Sequence, residues 1–253
     1  MLNEKEQRLR ELLLDVAEYV ETETKGTRPQ LRFAGGWVRD KLLGRGSHDI
    51  DIAVDNMTGL RFAEHIRDFA GTPRGAERYG ADIVKKITKI AARPEQSKHL
   101  ETATLTVWDH SIDVANLRKE VYDDVSRNPQ MEFGTPKEDA LRRDATINAL
   151  FYNLQDQYVE DFTELGLDDM RRKLIRTPLD PVQTFKDDPL RILRCIRFAS
   201  RFGYYIDEAA VQAMSIPEIR EALRIKITRE RVGVEMEKIF QGKQIILAET
   251  IGL

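Results

Sequence analysis

The amino-acid sequence predicts an α+β fold, with a mixed sheet and helices up to about residue 175 and an all-helical part after it. Short apolar runs, typical of strands, alternate with helical patterns in the first part. Proline-punctuated helical patterns dominate the rest. The chain has 253 residues, 41% of them hydrophobic, which is enough for one large domain or two smaller ones with buried cores. We expect two domains, at 1–175 and 176–253.

The elements of the first domain follow from apolar spacing and turn residues. Leucines and valines at helical spacing predict the first helix, and Thr58 is expected to cap a later one. The predicted helices are 3–22, 37–43, 58–69 and 136–151. The predicted strands are a short one ending at Ala34, then 49–54, 82–90, 101–108, 112–117 and a short partner strand at 158–162. A polar loop is expected at 122–135.

Proline, glycine and capping residues mark the helices predicted after residue 165. Pro189 fits the first turn of a long helix, and Gly203 ends that helix after Phe202. The other predicted helices are 168–173, one that starts at Asp207, one that follows a break at Pro217, and 228–240. This run of helices is the basis for the all-helical second domain.

Composition and missing motifs exclude several classes of protein. The net charge of −3 gives no overall basic signature, so a nucleic-acid-binding surface must come from local clustering. The single cysteine, Cys195, excludes an intrachain disulfide and a cysteine-rich metal site. No apolar run of about 18 residues is present, so no membrane span is predicted. The acidic N-terminal segment argues against a targeting peptide, and an intracellular protein is expected. The sequence contains neither a Walker A loop nor a Gly-x-Ser-x-Gly motif.

A double glycine, Gly35-Gly36, lies between a predicted strand and a predicted short helix. Glycine lets the backbone turn sharply and approach a ligand closely. The free N–H groups of a helix that begins here would face an anion such as a triphosphate. The glycine pair, Val38-Arg39-Asp40 and a following Asp-x-Asp pair are together far more specific than any one of them alone.

Asp49 and Asp51 are two positions apart on a predicted strand, so both carboxylates project from one face while Ile50 and Ile52 face the core. Adjacent carboxylates repel each other unless cations lie between them, and Mg²⁺ bound together with substrate phosphates suits that role. The alternative is a solvated strand face. Asp113, on another predicted strand, is a third candidate metal ligand, with an edge-strand charge or a partner for an arginine as an equal alternative.

The segment from Arg142 to Ala149 is the second dense motif. Arginines such as Arg142 and Arg143 suit bidentate contact with phosphate. On the predicted helix, Asp144 and Asn148 are four residues apart, share a face and could bind ribose hydroxyls. A salt-bridged helix face is the alternative.

Asp188 and Arg191 are three residues apart at the start of the long helix and point the same way. A carboxylate acceptor beside a guanidinium donor complements the edge that cytosine and adenine share, whereas guanine and uracil would leave polar groups unpaired. Capping of the helix is the alternative role for the acidic residues. Arg194 and Arg197 continue a basic stripe on this helix, which predicts contact with triphosphate or RNA, with a salt-bridged face as the alternative.

Together these residues resemble one family, the class II tRNA nucleotidyltransferases, or CCA-adding enzymes, in their eukaryotic, fungal form. The matching segments, in the order of the family, are Gly35–Asp40, Asp49–Asp51, Asp113–Arg118, Arg142–Ala149, Asp187–Arg191 and Arg229–Glu235. The resemblance covers about residues 30 to 240. The first position of the base-selecting motif is often Glu in the family and is Asp187 here. Family members continue into helical body and tail domains, which we expect this chain to lack.

The resemblance implies a polymerase-β-like head and a helical neck that carries the base-selecting residues. It implies that Asp49 and Asp51 are catalytic and hold two Mg²⁺, with Asp113 as a candidate third ligand. The implied triphosphate-binding residues are Gly35, Gly36 and Arg39. The implied ribose- and phosphate-binding residues are Arg142, Arg143, Asp144 and Asn148. The implied base-selecting residues are Asp188 and Arg191, supported by Asp187, Arg194 and Arg197.

The expected activity is therefore the template-independent addition of CCA to the 3′ end of tRNA, with CTP and ATP as substrates and no membrane partner. A CC-adding or A-adding relative and a poly(A) polymerase are alternatives of the same class, and the loop at 122–135 favours full CCA addition. A non-catalytic RNA-binding scaffold is the alternative from a different class. The expected location is the cytoplasm, extended to the nucleus and mitochondrion for a eukaryotic family member. The sequence predicts no particular oligomeric state.

Overall fold

The structure, a computed structural model, describes residues 2–47, 49–90, 102–121 and 130–241. The chain forms two compact units. The first unit consists of Met1–Asp139 and Leu150–Glu160, and the second consists of Ala140–Ala149 and Asp161–Leu253. The chain thus leaves the first unit, returns to it and leaves it again. The boundary predicted at residue 175 lies inside the second unit.

A seven-stranded mixed sheet forms the centre of the first unit. Its strands are β1 (Leu31–Ala34), β2 (Ile50–Val54), β3 (Val84–Ile90), β4 (Thr102–Val107), β5 (His110–Asn116), β8 (Phe151–Asn153) and β9 (Val159–Glu160). A separate hairpin pairs β6 (Arg118–Val121) with β7 (Gln130–Phe133). The order in the sheet is β3-β4-β5-β2-β1-β8-β9. Among the described strands of this sheet, β2 and β5 pair in parallel and the other neighbouring strands are antiparallel.

The helices of the first unit are α1 (Glu4–Thr24), α2 (Gly36–Leu42), α3 (Gly59–Ala70) and α4 (Pro73–Tyr79), with α5 (Pro136–Leu141) near the point where the chain leaves the unit. The sheet is contacted by α2 and α3, and α1 and α4 pack against α3. Asn3 and Glu6 form a capping box at the start of α1. Thr58 caps α3, which buries Phe62 and Ile66. At Gly59, an added Cβ would lie 1.9 Å from the carbonyl oxygen of Val114, so α3 packs directly against the backbone of β5.

The second unit is mainly helical. Its helices are α6 (Gly166–Arg172), α7 (Pro181–Asp187), α8 (Leu190–Phe202), α9 (Glu208–Met214), α10 (Pro217–Lys226) and α11 (Arg229–Phe240). Two short parallel strands, β10 (Leu174–Ile175) and β11 (Tyr205–Ile206), also pair in this unit, which the sequence did not predict. The core contains Phe185, Cys195 and Phe198, so α8 contributes the centre of the unit. Gly203 ends α8 with a positive φ of 68°.

The predicted fold class is confirmed, because a mixed sheet with helices is followed by a mainly helical unit. The predicted helix over 136–151 is wrong, since α5 ends at Leu141 and β8 begins at Phe151. Between them lies a 3₁₀ turn at Thr146–Asn148, where the Thr146 N–H donates to the Arg176 carbonyl oxygen at 2.8 Å. Tertiary hydrogen bonds of this kind override a local helical pattern.

The polar loop predicted at 122–135 is also wrong in part, because Gln130–Phe133 forms β7. Hydrogen bonds to β6 stabilise this strand. The local sequence does not reveal such cross-strand pairing, which is why the strand was not predicted. Residues 122–129 of the predicted loop lie outside the described residues. The sequence also missed α4 and α7.

Candidate functional site

The double glycine forms a sharp turn between β1 and α2. Gly35 has φ 64° and ψ −123°, a conformation that glycine adopts readily and other residues rarely do. Its N–H donates to the carbonyl oxygen of Leu150 at 2.9 Å, which ties the turn to the chain just before β8. Gly36, the first residue of α2, has no positive φ. The two glycines therefore differ in their structural requirement.

Arg39 lies beside the second glycine. A Cβ on Gly36 would be 3.4 Å from Nη2 of Arg39, so the guanidinium group lies next to the backbone of Gly36. Arg39 is only 4% exposed, and its Nε donates to Oδ1 of Asp40 at 2.8 Å. Asp40 is a partner that sequence analysis missed. It holds the guanidinium group in a fixed place near Gly36.

Asp49 and Asp51 lie at the start of β2, where Ile50 and Ile52 are buried and both aspartates are exposed. This alternation agrees with the prediction that the two carboxylates share one face. In the parallel pairing of β2 and β5, Asp51 lies directly opposite Asp113. Registered residues on neighbouring strands project from the same face of the sheet, so Asp113 is on the face of Asp51.

Asp113 has a hydrogen-bond partner that the sequence did not indicate. Thr104, its registered neighbour on β4, donates from Oγ1 to Oδ1 of Asp113 at 2.5 Å. Within the part of the chain that the structure describes, no group of three or more His, Cys, Asp or Glu side chains is arranged to hold a metal ion. The oxygen donors of Asp49 and Asp51 nevertheless suit a hard divalent cation such as Mg²⁺.

Residues 142–149 belong to the second unit, where they form an irregular segment and the 3₁₀ turn. Asp144 and Asn148 do not share an α-helix as predicted, but they are in contact, because Nδ2 of Asn148 donates to Oδ1 of Asp144 at 3.0 Å. Arg143 donates from Nη1 to the carbonyl oxygen of Asn148 at 3.0 Å. Arg142 is half-buried at the end of α5. The segment is thus held by its own side chains.

The buried carboxylate of Asp169 holds the 3₁₀ turn at Thr146–Asn148 in place. Oδ2 of Asp169 accepts a hydrogen bond from Oγ1 of Thr146 at 2.7 Å, and Nη2 of Arg176 lies 3.4 Å from Oδ1. Burial raises the pKa of Asp169 above its usual range, although the hydrogen bond and the charge of Arg176 oppose that shift. Sequence analysis did not single out Asp169, because its partners are distant in the chain.

The predicted base-selecting residues lie at the junction of α7 and α8. Oδ1 of Asp188 accepts the Leu190 N–H at 3.1 Å, and its carbonyl oxygen accepts the Arg191 N–H at 3.0 Å. The N-cap position of α8 is Pro189, so Asp188 lies one residue before it, and the hydrogen bond from Leu190 holds the Asp188 carboxylate at the start of the helix. Arg191 is 9% exposed. Nε2 of Gln183 donates to Oδ1 of Asp187 at 2.6 Å across the last turn of α7.

The basic stripe on α8 forms ion pairs within the second unit. Nε of Arg194 lies 2.5 Å from Oδ2 of Asp144, and Nε of Arg197 lies 2.6 Å from Oε2 of Glu235 on α11. The structure thus favours the salt-bridged alternative for both arginines, and contact with triphosphate or RNA stays a prediction. The Arg197–Glu235 pair joins residues 38 positions apart, which explains why the local pattern could not reveal it.

Comparison with known proteins gives consistent matches. The model of the Poly A polymerase head domain matches residues 31–176. Nucleotidyltransferase lcsQ of Purpureocillium lilacinum is 54% identical over 244 residues, which cover 95% of this chain and 41% of the relative. The mitochondrial CCA tRNA nucleotidyltransferase of Candida glabrata is 52% identical over 247 residues, which cover 97% of this chain and 46% of the relative. The chain thus spans about half the length of the curated relatives it matches.

A solved CCA-adding enzyme in complex with ATP has the same fold as this chain, with a TM-score of 0.70 and 30% identity over 96% of this chain and 48% of that one. This match confirms the polymerase-β-like head that the resemblance implied. None of the helices in the described ranges is both long and apolar enough to cross a membrane. Because the family model covers more than half of its residues, the chain belongs to the Poly A polymerase head domain family, with fungal tRNA nucleotidyltransferases among its relatives.

Proposed function

We propose that this protein is a tRNA nucleotidyltransferase that adds CCA to the tRNA 3′ end without a nucleic-acid template, from CTP and ATP. The observation that carries the proposal is the pair of exposed aspartates, Asp49 and Asp51, on the face of the sheet that also presents Asp113. The relatives named as CCA tRNA nucleotidyltransferases support the choice of tRNA and of CCA. The solved relatives in complex with ATP and with CTP support the choice of nucleotides.

Nucleotidyltransferases of this family generally use a divalent metal ion. In our proposal Asp49 and Asp51 hold two Mg²⁺, and Asp113 is the candidate third ligand. When bound, the ions would lower the pKa of the attacking 3′-hydroxyl and neutralise charge on the leaving pyrophosphate. The two aspartates are exposed to solvent, so they can bind ions without a change in the core of the sheet.

The turn at Gly35 and Gly36 is proposed to receive the triphosphate. The missing side chain of Gly36 leaves the backbone beside the Arg39 guanidinium group open to a ligand. Asp40 orients that guanidinium group through a hydrogen bond of 2.8 Å. A fixed arginine binds phosphate with less loss of side-chain entropy than a mobile one.

The turn at 142–148 is proposed to contact ribose and phosphate. Arg142 and Arg143 would supply the phosphate contacts, and Asn148 would supply its amide to a ribose hydroxyl. The oxygens of Asp144 already accept hydrogen bonds from Asn148 and Arg194. A carboxylate oxygen can accept a second hydrogen bond, so Asp144 can still bind a ribose hydroxyl with its remaining lone pairs.

The base is proposed to be read by Asp188 and Arg191, with Asp187 beside them. The carboxylate of Asp188 would accept from the exocyclic amino group of cytosine or adenine, and Arg191 would donate to the adjacent ring nitrogen. Guanine and uracil present a carbonyl and an N–H at those positions, so they leave both protein groups unpaired. Asp188 and Arg191 would therefore favour CTP and ATP over GTP and UTP.

The proposed partners are the 3′ end of tRNA, CTP and ATP. The names of two fungal relatives place them in the mitochondrion, so we include mitochondrial tRNA among the proposed substrates, besides tRNA of the cytoplasm and nucleus.

Primer extension tests the proposal directly. Matched tRNAs that end at the discriminator base, at C and at CC are incubated with Mg²⁺ and one nucleoside triphosphate at a time. We expect C to be added to the first two and A only to the third. Long A tails would indicate a poly(A) polymerase, and C without A, or A without C, would indicate a partial enzyme.

Two aspartate variants provide the comparison within this assay. Changing an outer-shell partner of a metal site costs up to about 100-fold in activity. Asp49 is proposed to bind the metal directly, so Asp49→Ala should lower the rate of addition by more than that. Asp109→Ala is the matched control, because the Asp109 side chain is 89% exposed in a turn of the same unit. Absence of both addition and selective nucleotide binding in the wild type would refute an enzymatic role and favour an RNA-binding scaffold.

A further inference from the structure

Arg194 contacts the proposed ribose-binding turn from the proposed base-selecting helix. Its Nε lies 2.5 Å from Oδ2 of Asp144, across 50 positions of sequence and within the second unit. The other oxygen of this carboxylate accepts the Asn148 amide at 3.0 Å. Side-chain exposure is 7% for Asp144 and 41% for Arg194, so the carboxylate is buried and the guanidinium group lies at the edge of the buried region.

The surroundings of Asp144 favour its charged form. Burial alone would raise the pKa of Asp144, but the charge of Arg194, the hydrogen bonds from Asn148 and Arg194, and the charge of Arg191 outweigh it and hold the pKa well below its usual range. In return, the charge of Asp144 raises the pKa of Arg194. The pair is therefore fully ionised at neutral pH.

Arg194 and Arg191 are three residues apart on α8, so their side chains project from neighbouring positions on one face of the helix. Asp144 experiences the charge of both. A shift of Asp144 would therefore move the ribose-binding turn and change the electrostatic surroundings of Arg191 together. The ion pair joins two groups that the proposed function assigns to different parts of one nucleotide.

We infer that Arg194 is a positioning residue, which holds the Asp144–Asn148 pair in register with the base-selecting Arg191. In this role Arg194 contacts neither phosphate nor RNA, and it sets base and sugar selectivity through Asp144. The inference rests on the proposed function. It replaces the phosphate contact that the basic stripe predicted for Arg194 with an internal contact.

Three roles of Arg194 predict different results. A phosphate ligand would weaken the binding of every nucleoside triphosphate by the same factor when it is removed. A purely structural residue would lower the unfolding temperature and leave the preference among bound nucleotides unchanged. A positioning residue would reduce the preference for CTP over UTP and for CTP over dCTP, because misplaced polar groups no longer distinguish the ligands.

The test is equilibrium binding of CTP, dCTP and UTP in the presence of Mg²⁺, with the wild type and Arg194→Gln. We expect Arg194→Gln to lower both preferences by about tenfold, which lies within the range of coupling between contacting residues. Arg194→Lys, which keeps the charge but not the planar guanidinium group, should give an intermediate loss. This second variant keeps the test decisive if Arg194→Gln fails to fold.

A double-mutant cycle tests whether Arg194 acts on selectivity through Asp144. Asp144→Asn alone should reduce the same preferences, and Arg194→Gln should cause little further loss in the Asp144→Asn background. Arg224→Gln is the matched control, because Arg224 and Glu221 form an ion pair at the same distance of 2.5 Å on α10 but with exposed side chains. It should leave both preferences unchanged.

Equal loss of affinity for all three nucleotides, additive effects in the cycle, or unchanged preferences in a less stable Arg194→Gln would each overturn the inference. A wild type that binds CTP no better than UTP would refute the proposed function itself, and the inference with it. The two failures are distinguishable, since the first appears only in the variants and the second already appears in the wild type.

Discussion

Gly35 and Gly36 are adjacent in the sequence, yet the structure predicts opposite consequences for their replacement by alanine. Gly35 has φ 64° and ψ −123°, so Gly35→Ala should destabilise the protein by about 1–3 kcal/mol, the usual cost of such a backbone conformation. Gly36 has no positive φ, and the atoms nearest to its new Cβ would belong to the Arg39 side chain, the first at 3.4 Å. Gly36→Ala should therefore change the free energy of unfolding by less than about 1 kcal/mol.

Gly36→Ala should weaken the binding of nucleotides that carry a triphosphate. A methyl group at this position occupies the space beside the Arg39 guanidinium group, where the proposed triphosphate binds. We expect Gly36→Ala to weaken CTP binding about tenfold, or 1.4 kcal/mol, and to leave CMP binding unchanged. CMP is the matched ligand, since it has the same base and ribose but only one phosphate.

Urea denaturation and equilibrium nucleotide binding, measured on both variants, check this reasoning. Gly35→Ala should lower the urea midpoint, whereas Gly36→Ala should keep the wild-type midpoint with a lower affinity for CTP. The reasoning is refuted if Gly36→Ala loses as much stability as Gly35→Ala. An equal loss of CTP and CMP affinity, or no loss at all, would contradict the proposed position of the triphosphate.

Three further predictions concern stability. Gly59→Ala should destabilise the protein by about 3 kcal/mol, because its Cβ would lie 1.9 Å from a backbone oxygen of β5, whereas Gly46→Ala, with nothing within 4 Å, should be neutral in the same urea titration. Glu160→Leu should cost about 3–5 kcal/mol by leaving Arg32 buried without its carboxylate partner at 2.6 Å, and equal midpoints for variant and wild type would contradict a structural role for this pair. Burial lowers the pKa of His65 below its usual 6.5, so the folded state favours the neutral imidazole. The free energy of unfolding should therefore decrease as the pH falls below about 6.5. His65→Gln should flatten this part of the pH profile of unfolding.

Local sequence patterns predicted the parts of the site that depend on neighbouring residues. The alternation around Asp49 and Asp51 indicated an exposed carboxylate face, because strand periodicity alone decides which side chains face the core. The capping of α3 by Thr58 and the end of α8 at Gly203 were predictable for the same local reason. Nucleotide roles for these and the other site residues stay predictions that the binding and extension experiments address.

Other parts depend on contacts between distant positions and could not be read from the sequence. The segment after Leu141 has a helical apolar pattern, but the hydrogen bond from Thr146 to the Arg176 carbonyl oxygen holds a 3₁₀ turn there instead. Likewise, the stripe of arginines on α8 predicted an anion-binding surface, and only the fold revealed that Asp144 and Glu235 neutralise two of its members. Residue spacing indicates which side chains share a face, but not which carboxylate lies opposite.

The return of the chain to the first unit at Leu150–Glu160 has a consequence for biosynthesis. On the ribosome, β1 emerges early and can pair with β2. Its other edge can pair only after β8 has been synthesised, and the Gly35 N–H can donate to Leu150 only after that residue has been added. A nascent chain that ends before this point carries an apolar strand with one open edge, which invites aggregation. A recombinant fragment of the first unit should therefore include Leu150–Glu160 in addition to Met1–Asp139, with a short linker in place of Ala140–Ala149.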